Sequence, residues 1–331
     1  MGGMKLVSSA LVAIALALPS AAQVKITPGP EKAAIAINGK PFSDFYVAGE
    51  MVTKPYLWPL RAATGTSVTR NWPMEVTDDE KTAKLDHQHQ RGLWFAHDSV
   101  NGIDFWNNEA KPIPPTSPNA YKSPKLGRIT LVKLGPAKSG KASGTLAATF
   151  DWTDLQGHKL LTESRVMTFY ADKDDRRFDV DITLTAADAP VTFGDGKDGA
   201  FGIRMRPVLQ EDTGTGHIAN ADGMAGEKEL WGKPSNWCDY SGTIGTEKVG
   251  IAILDNPANP HHPVRWHARA YGLFAANPFG LSVFTNDKTQ NGAVTIQPGQ
   301  SLRYRYRVII HPGDVKDAKI DAAWQRYIAG K

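Results

Sequence analysis

Arg177-Phe-Asp-Val-Asp-Ile-Thr-Leu-Thr185 alternates apolar and polar side chains without a break. Successive side chains of an extended strand point to opposite faces, so the run reads as a strand with Phe178, Val180, Ile182 and Leu184 turned to a core. The same period-two pattern recurs over residues 32–38, 127–133, 144–152, 161–170 and 302–311. Gly, Pro, Asn or Asp bounds these runs, and no helical periodicity separates them. Many strands without interleaved helices predict an all-β fold, a large antiparallel β-sandwich.

Helix is expected in the tail, residues 315–328, where Ile320, Ala323, Trp324 and Tyr327 share one face. Residues 110–124 and 193–202 are rich in Pro or Gly and read as inserted loops. The chain opens with Met1-Gly-Gly-Met-Lys5, an apolar run from Leu6 to Leu18, and Pro19-Ser-Ala-Ala22. The apolar run is shorter than the roughly 20 residues of a membrane span, so residues 1–22 are expected to be a cleaved signal peptide. The rest, 23–331, is expected to be a single β-sandwich domain, periplasmic or secreted, with no membrane span after signal removal. Cys238 is the only cysteine, so core burial must hold the fold without an intramolecular disulfide. A formal charge of +4 spread among interleaved acids and bases argues against nucleic acid as a partner.

Chemistry concentrates between Asp86 and Trp106. His87-Gln-His89 on a strand would place both imidazoles on one face, and Arg91 would continue that face. Trp94, His97, Asp104 and Trp106 follow closely. A second segment, residues 259–280, carries His262, Trp266, His267, Arg269 and Tyr271; on a strand, His267, Arg269 and Tyr271 would share a side. Such a face is expensive to bury without partners and suits a polar ligand. The two triplets are expected to face one another across a pocket. Gly194-Asp-Gly-Lys-Asp-Gly199 reads as a hairpin tip or as a loop that brings Lys197 and Asp198 to the pocket, with Arg204 just beyond. Serine-hydrolase, phosphate-loop, dinucleotide and His-Glu-x-x-His signatures are absent.

Pro55-Tyr-Leu-Trp-Pro-Leu60, His87-x-His-x-Arg-Gly-Leu-Trp-Phe-Ala-His97, Asn101-Gly-x-Asp-Phe-Trp106, Asn277-Pro-Phe-Gly280 and His311-Pro-Gly-Asp314 together resemble a family of secreted bacterial proteins labelled methane oxygenase PmoA, of undetermined activity. The chain lacks the transmembrane helices of a genuine methane monooxygenase subunit. More distantly, His87-Gln-His89, Gly102-Ile-Asp-Phe-Trp106 and the Pro298-Gly299 turn before the last strand are similar, in order, to galactose-mutarotase-like proteins. That resemblance implies a supersandwich in which Arg91 or His89 binds sugar hydroxyls and His267 or His262 acts as an acid. The late glutamate base of those enzymes has no counterpart, since Glu247 is the last glutamate; Asp104, Asp198 and Lys197 are the candidates to replace it.

The resulting expectation is a carbohydrate-active protein using histidine-assisted acid/base chemistry, as an epimerase, lyase or glycoside-cleaving enzyme. Its catalytic candidates are His89, His267, Asp104 and Lys197. Substrate contacts are expected from His87, Arg91, Trp94, His97, Trp106, Asp198, Arg204, His262, Arg269 and Tyr271. The partner would be a small carbohydrate, with no cofactor. The alternatives are a zinc or copper site on His87, His89 and His97, and a non-catalytic sugar-binding module. The sequence leaves the oligomeric state open.

Overall fold

The computed structural model describes residues 23–109 and 125–330. From the N-terminus, β1 (Val24–Pro28), β2 (Lys32–Ile37) and β3 (Lys40–Tyr46) form a meander that continues through β4 (Tyr56–Trp58) to β5 (Leu93–His97). Four long strands follow: β6 (Gly127–Lys138), β7 (Ser143–Asp154), β8 (Lys159–Tyr170) and β9 (Arg176–Ala186). Next come β10 (Val191–Phe193), β11 (Gly199–Arg204), β12 (His217–Asn220), α1 (Gly226–Leu230), β13 (Trp237–Ile244) and β14 (Glu247–Asp255). The described chain ends with β15 (Arg265–Ala268), β16 (Leu273–Asn277), α2 (Leu281–Thr285), β17 (Val294–Ile296), β18 (Ser301–Pro312) and α3 (Ile320–Ile328).

Two eight-stranded antiparallel sheets result, ordered β1-β2-β3-β4-β5-β11-β16-β15 and β12-β13-β14-β18-β9-β8-β7-β6. The antiparallel β-sandwich with a short C-terminal helix is therefore the fold of this chain. The alternating runs became strands because each buries one side: β9 hides Phe178, Val180, Ile182 and Leu184 and leaves the residues between them half-buried. Facing rings join the sheets. Phe201 of β11 stacks on Tyr306 of β18 at 4.6 Å, and Phe95 of β5 meets Tyr304 at 6.0 Å.

Two expectations need correction. Residues 199–202, read as part of an inserted loop, are the first part of β11, which pairs with both β5 and β16 in the middle of its sheet. All six residues of β11 are buried, so covered faces on both sides erased the alternation that marks a strand. The tail helix begins at Ile320 rather than Val315, and its apolar side packs on Trp237, Ala252, Leu254 and Ile309 of the second sheet. The expected signal, 1–22, and the expected loop, 110–124, lie outside the described residues.

Candidate functional site

Residues 86–91 form a turn, not a strand. Arg70 is the cause: its buried guanidinium donates to the carbonyl oxygens of Asp86 and His87, both at 2.8 Å, and of Gln90 at 3.1 Å. Three carbonyls gathered on one cation require a curled backbone, and His87 adopts a φ of 52°. The expected strand face is therefore replaced by a turn on which the His87 and His89 rings still meet, 5.6 Å apart, without Arg91. Arg91 turns away, donating to the carbonyls of Gln88 and Met51 beside the Tyr56 ring.

The second segment is also part turn. β15 stops at Ala268, and Arg269 to Gly272 reverse the chain into β16, with the Arg269 amide donating to the Leu273 carbonyl at 2.7 Å. Only His267 of the expected triplet stands on a strand. The two turns nonetheless meet: the His87 and Tyr271 rings stack at 5.5 Å and 8°.

Around that stack the charges are paired. Asp86 Oδ1 lies 2.9 Å from His87 Nδ1 and 3.3 Å from Arg204 Nη2, and its other oxygen is 3.1 Å from Lys84. Burial pushes the Asp86 carboxyl up, but His87, Arg204 and Lys84 outweigh it and hold the group well below the usual carboxylate range. Arg204 donates to Gln90 Oε1 and lies over the Tyr271 ring at 4.6 Å. Lys84, Asp86, His87, Arg204 and Tyr271 line a cleft of about 680 Å³ that also includes Asp79, Thr82, Gln210, Asp212 and Thr213. A second cavity of about 640 Å³ shares Asp212 and is lined by Glu211, Glu227, Lys228, Trp231, Arg269 and Ala270. Arg269 stands between the two, 2.8 Å from Glu227 and 5.6 Å from the Tyr271 ring.

The remaining candidates divide into neighbours of this groove and residues placed elsewhere. His267 is buried, with Nδ1 3.8 Å from Asp198 and its ring edge-on to Trp231 at 6.4 Å; burial pulls its pKa down to about 4. Lys197 is tied to both Asp198 oxygens at 2.8 Å, and Asn277 holds that loop through the carbonyls of Gly196 and Lys197. Beside it, the Asp98 carboxyl is pushed up to about 7 by burial and by the charges of Asp198 and Asp104. Trp94 and Trp106 pack together at 4.9 Å over Gly202, fully buried.

Four assignments are displaced. Asp104, expected to be catalytic, spends one oxygen on the amides of Trp106 and Asn107 and the other on the Asn107 side chain, which shapes a turn. His89, the other catalytic candidate of this stretch, is buried with Nδ1 3.0 Å from Glu109, and burial drives its pKa well below the usual histidine value. His97 shares the inward side of β5 with Phe95 and packs on Phe279 at 4.7 Å, with Nε2 on the Gly194 carbonyl. His262 bonds Asp255 at 2.7 Å and stacks on Trp324 of α3, away from both cavities. Of the expected metal set, His87 and His89 keep their rings 5.6 Å apart, but His97 packs on Phe279 instead of joining them. Among the described residues, no three His, Cys, Asp or Glu side chains converge on a metal position.

Sequence reasoning missed Glu109, which meets His89, and Lys54, buried near it and bonded to Asn108 at 2.6 Å. Burial raises the Glu109 pKa and lowers that of Lys54. The signal for Glu109 was its place three residues after Trp106. Lys54 and Glu227 gave none.

A family model matches residues 32–325 of the chain. The protein belongs to DUF6807, a family of unknown function. That description carries no methane oxygenase label. No curated protein matches this DUF6807 chain. Similar solved structures include the galactosidase domain of an alpha-galactosidase–sucrose kinase, at 8% identity and TM-score 0.44, covering 88% of this chain and 42% of that one. The chain thus spans less than half the length of that protein. A putative aldose 1-epimerase from Klebsiella pneumoniae is similar at 11% identity and TM-score 0.43, over 93% of this chain and 87% of that one. A galactose mutarotase-like protein from Clostridium acetobutylicum matches at 9% identity and TM-score 0.39, over 87% and 98%.

Proposed function

We propose that this DUF6807 protein acts on a carbohydrate by proton transfer at a sugar carbon or ring oxygen, with His87 as the acid/base group. One observation carries the reading: His87 lines an open polar cleft with its Nδ1 2.9 Å from the buried, ionised Asp86 and its ring stacked on Tyr271. A carboxylate this close favours a proton on Nδ1, which leaves the other ring nitrogen to exchange one with a ligand. An imidazole can both give and take a proton and so suits both directions of transfer. The buried His89 and His267 are uncharged at neutral pH and act as packing and hydrogen-bonding groups around it.

The cleft favours a neutral, hydroxylated ligand over an ion. Its cations all have acidic partners: Arg204 and Lys84 share Asp86, and the adjoining Arg206 meets Asp79 at 2.7 Å. What remains on the walls is Thr82, Thr213, Gln210 and the acid Asp212, with donors and acceptors of the kind sugar hydroxyls bind. The leading residues, 1–22, belong to the same reading as a cleaved export signal. Protein recovered from a periplasmic fraction with Gln23 at its N-terminus supports export; an intact N-terminus confined to the cytoplasm overturns it.

The function is tested by titrating the full chain with a panel of mono- and disaccharides, oxidised sugars included, and following each mixture by proton NMR. At least one sugar is expected to bind and turn over. His87→Gln should lower kcat by about 100-fold or more while ligand affinity stays within about threefold. Absence of binding across the panel refutes the carbohydrate assignment, and binding without turnover removes the acid/base role.

A further inference from the structure

The second cavity is not lined by the acid/base group, yet it adjoins the first. Asp212 lines both, and the steps from His87 to Tyr271 at 5.5 Å and from Tyr271 to Arg269 at 5.6 Å lead from one into the other. Each cavity, at about 680 and 640 Å³, falls in the range of roughly 300–1,000 Å³ that accommodates a ligand much larger than one hexose ring. A single sugar therefore fills neither, and a ligand seated beside His87 leaves the far cavity empty.

The far cavity has its own recognition surface. Trp231 lines it and is braced edge-on by Phe284 at 5.3 Å, which fixes the indole plane. A braced aromatic face suits the C–H side of a pyranose. The indole Nε1 is buried with no hydrogen-bond partner among the described residues, although a buried donor normally has one. The charges of the opposite wall are largely committed: Glu227 holds Arg269 and accepts from the Ala270 amide at 2.6 Å, and Glu211 accepts from the Glu227 amide at 2.9 Å. Asp212 adds an acid at the junction, so the groove as a whole is not cationic and opposes a polyanionic chain such as a polyuronate.

We infer that the substrate is a neutral oligosaccharide of at least two units, with the reacting unit beside His87 and the next one on Trp231. The inference rests on the carbohydrate reading above and specifies its substrate class. Contacts to the non-reacting unit hold the reacting one in place, which is how remote binding improves a chemical step.

The test is affinity against chain length, measured by calorimetry on the full protein with neutral gluco-, galacto- and manno-oligosaccharides of one to four units and with matched uronate oligosaccharides. The affinity of at least one neutral series is expected to rise about tenfold or more from one unit to two, and the uronates to gain nothing. Trp231→Ala should bring the two-unit to one-unit ratio down to about one. Ala270→Trp, which fills the far cavity from its opposite wall without touching the Phe284 brace, should do the same and guards against a fold defect in the first variant. A flat length profile with monosaccharide binding intact overturns the oligosaccharide inference and leaves the carbohydrate reading standing. Preference for uronates overturns the neutral class, and failure of every sugar, single or linked, sinks both readings.

Discussion

Asp98 shows how much the setting of one side chain can contribute. The residue follows directly after β5, with the backbone of Gly196 pressed so close that an added Cβ there would sit 2.2 Å from Oδ1. Burial and the charges of Asp198 and Asp104 raise its pKa to about 7. Between the ordinary value of 3.8 and that raised one, the folded chain keeps a proton that the unfolded chain releases. Stability from this group is therefore fullest below the unfolded value and is lost as pH rises through 7. Asp98→Asn removes the loss. The variant is expected to resist urea better than the parent at about pH 8, by roughly 1–3 kcal/mol after allowance for partial exposure, with the gain fading toward about pH 4. Equal urea midpoints at the higher pH would contradict the assignment.

At the scale of the element, β11 decides the shape beneath the groove. Gly202 faces Trp94 across the pair with β5, and a Cβ on it would lie 2.9 Å from the Trp106 ring and 3.1 Å from that of Trp94. Gly202→Val is expected to lose about 1–3 kcal/mol in thermal unfolding, as an overpacked site does. A melting temperature unchanged by this variant would mean that the tryptophans are free to move. The same strand marks the limit of what the sequence discloses. β9 was legible because one face is buried and the other only half-buried, and β18 because its first half, Ser301 to Tyr306, keeps that contrast before both faces are covered. β11 was illegible because every residue in it is covered. The turn at His87 was misread for a different reason: its curvature comes from Arg70, a distant side chain that local periodicity does not report. That the two histidine-bearing segments would meet was readable from composition. The atoms that meet, His87 and Tyr271, depend on two turns that alternation predicts as strands.

At the scale of the whole molecule, the groove is built mostly from turns and α1 beside the end of β11, and the second sheet packs on the sheet that carries β11 through the ring contacts of β18. Tyr304 and Tyr306 were placed inward by their alternation with Arg303, Arg305 and Arg307, and both are fully buried. Their hydroxyls find no hydrogen-bond partner among the described residues, a feature the strand pattern does not carry. An unpaired buried hydroxyl costs about 1–3 kcal/mol, whereas the ring beneath it contributes its full apolar area. The two parts separate by mutation. Tyr306→Phe keeps the stack on Phe201 and removes the oxygen, so it is expected to raise stability by about 1 kcal/mol. Tyr306→Ala removes the ring as well and should lower it by about 3–5 kcal/mol. Because the stack joins the sheets, both variants should unfold in one transition, followed together by near-ultraviolet and far-ultraviolet circular dichroism. A Tyr306→Phe variant less stable than the parent would show that the hydroxyl is bonded, and two separated transitions would show that the sheets do not depend on this contact.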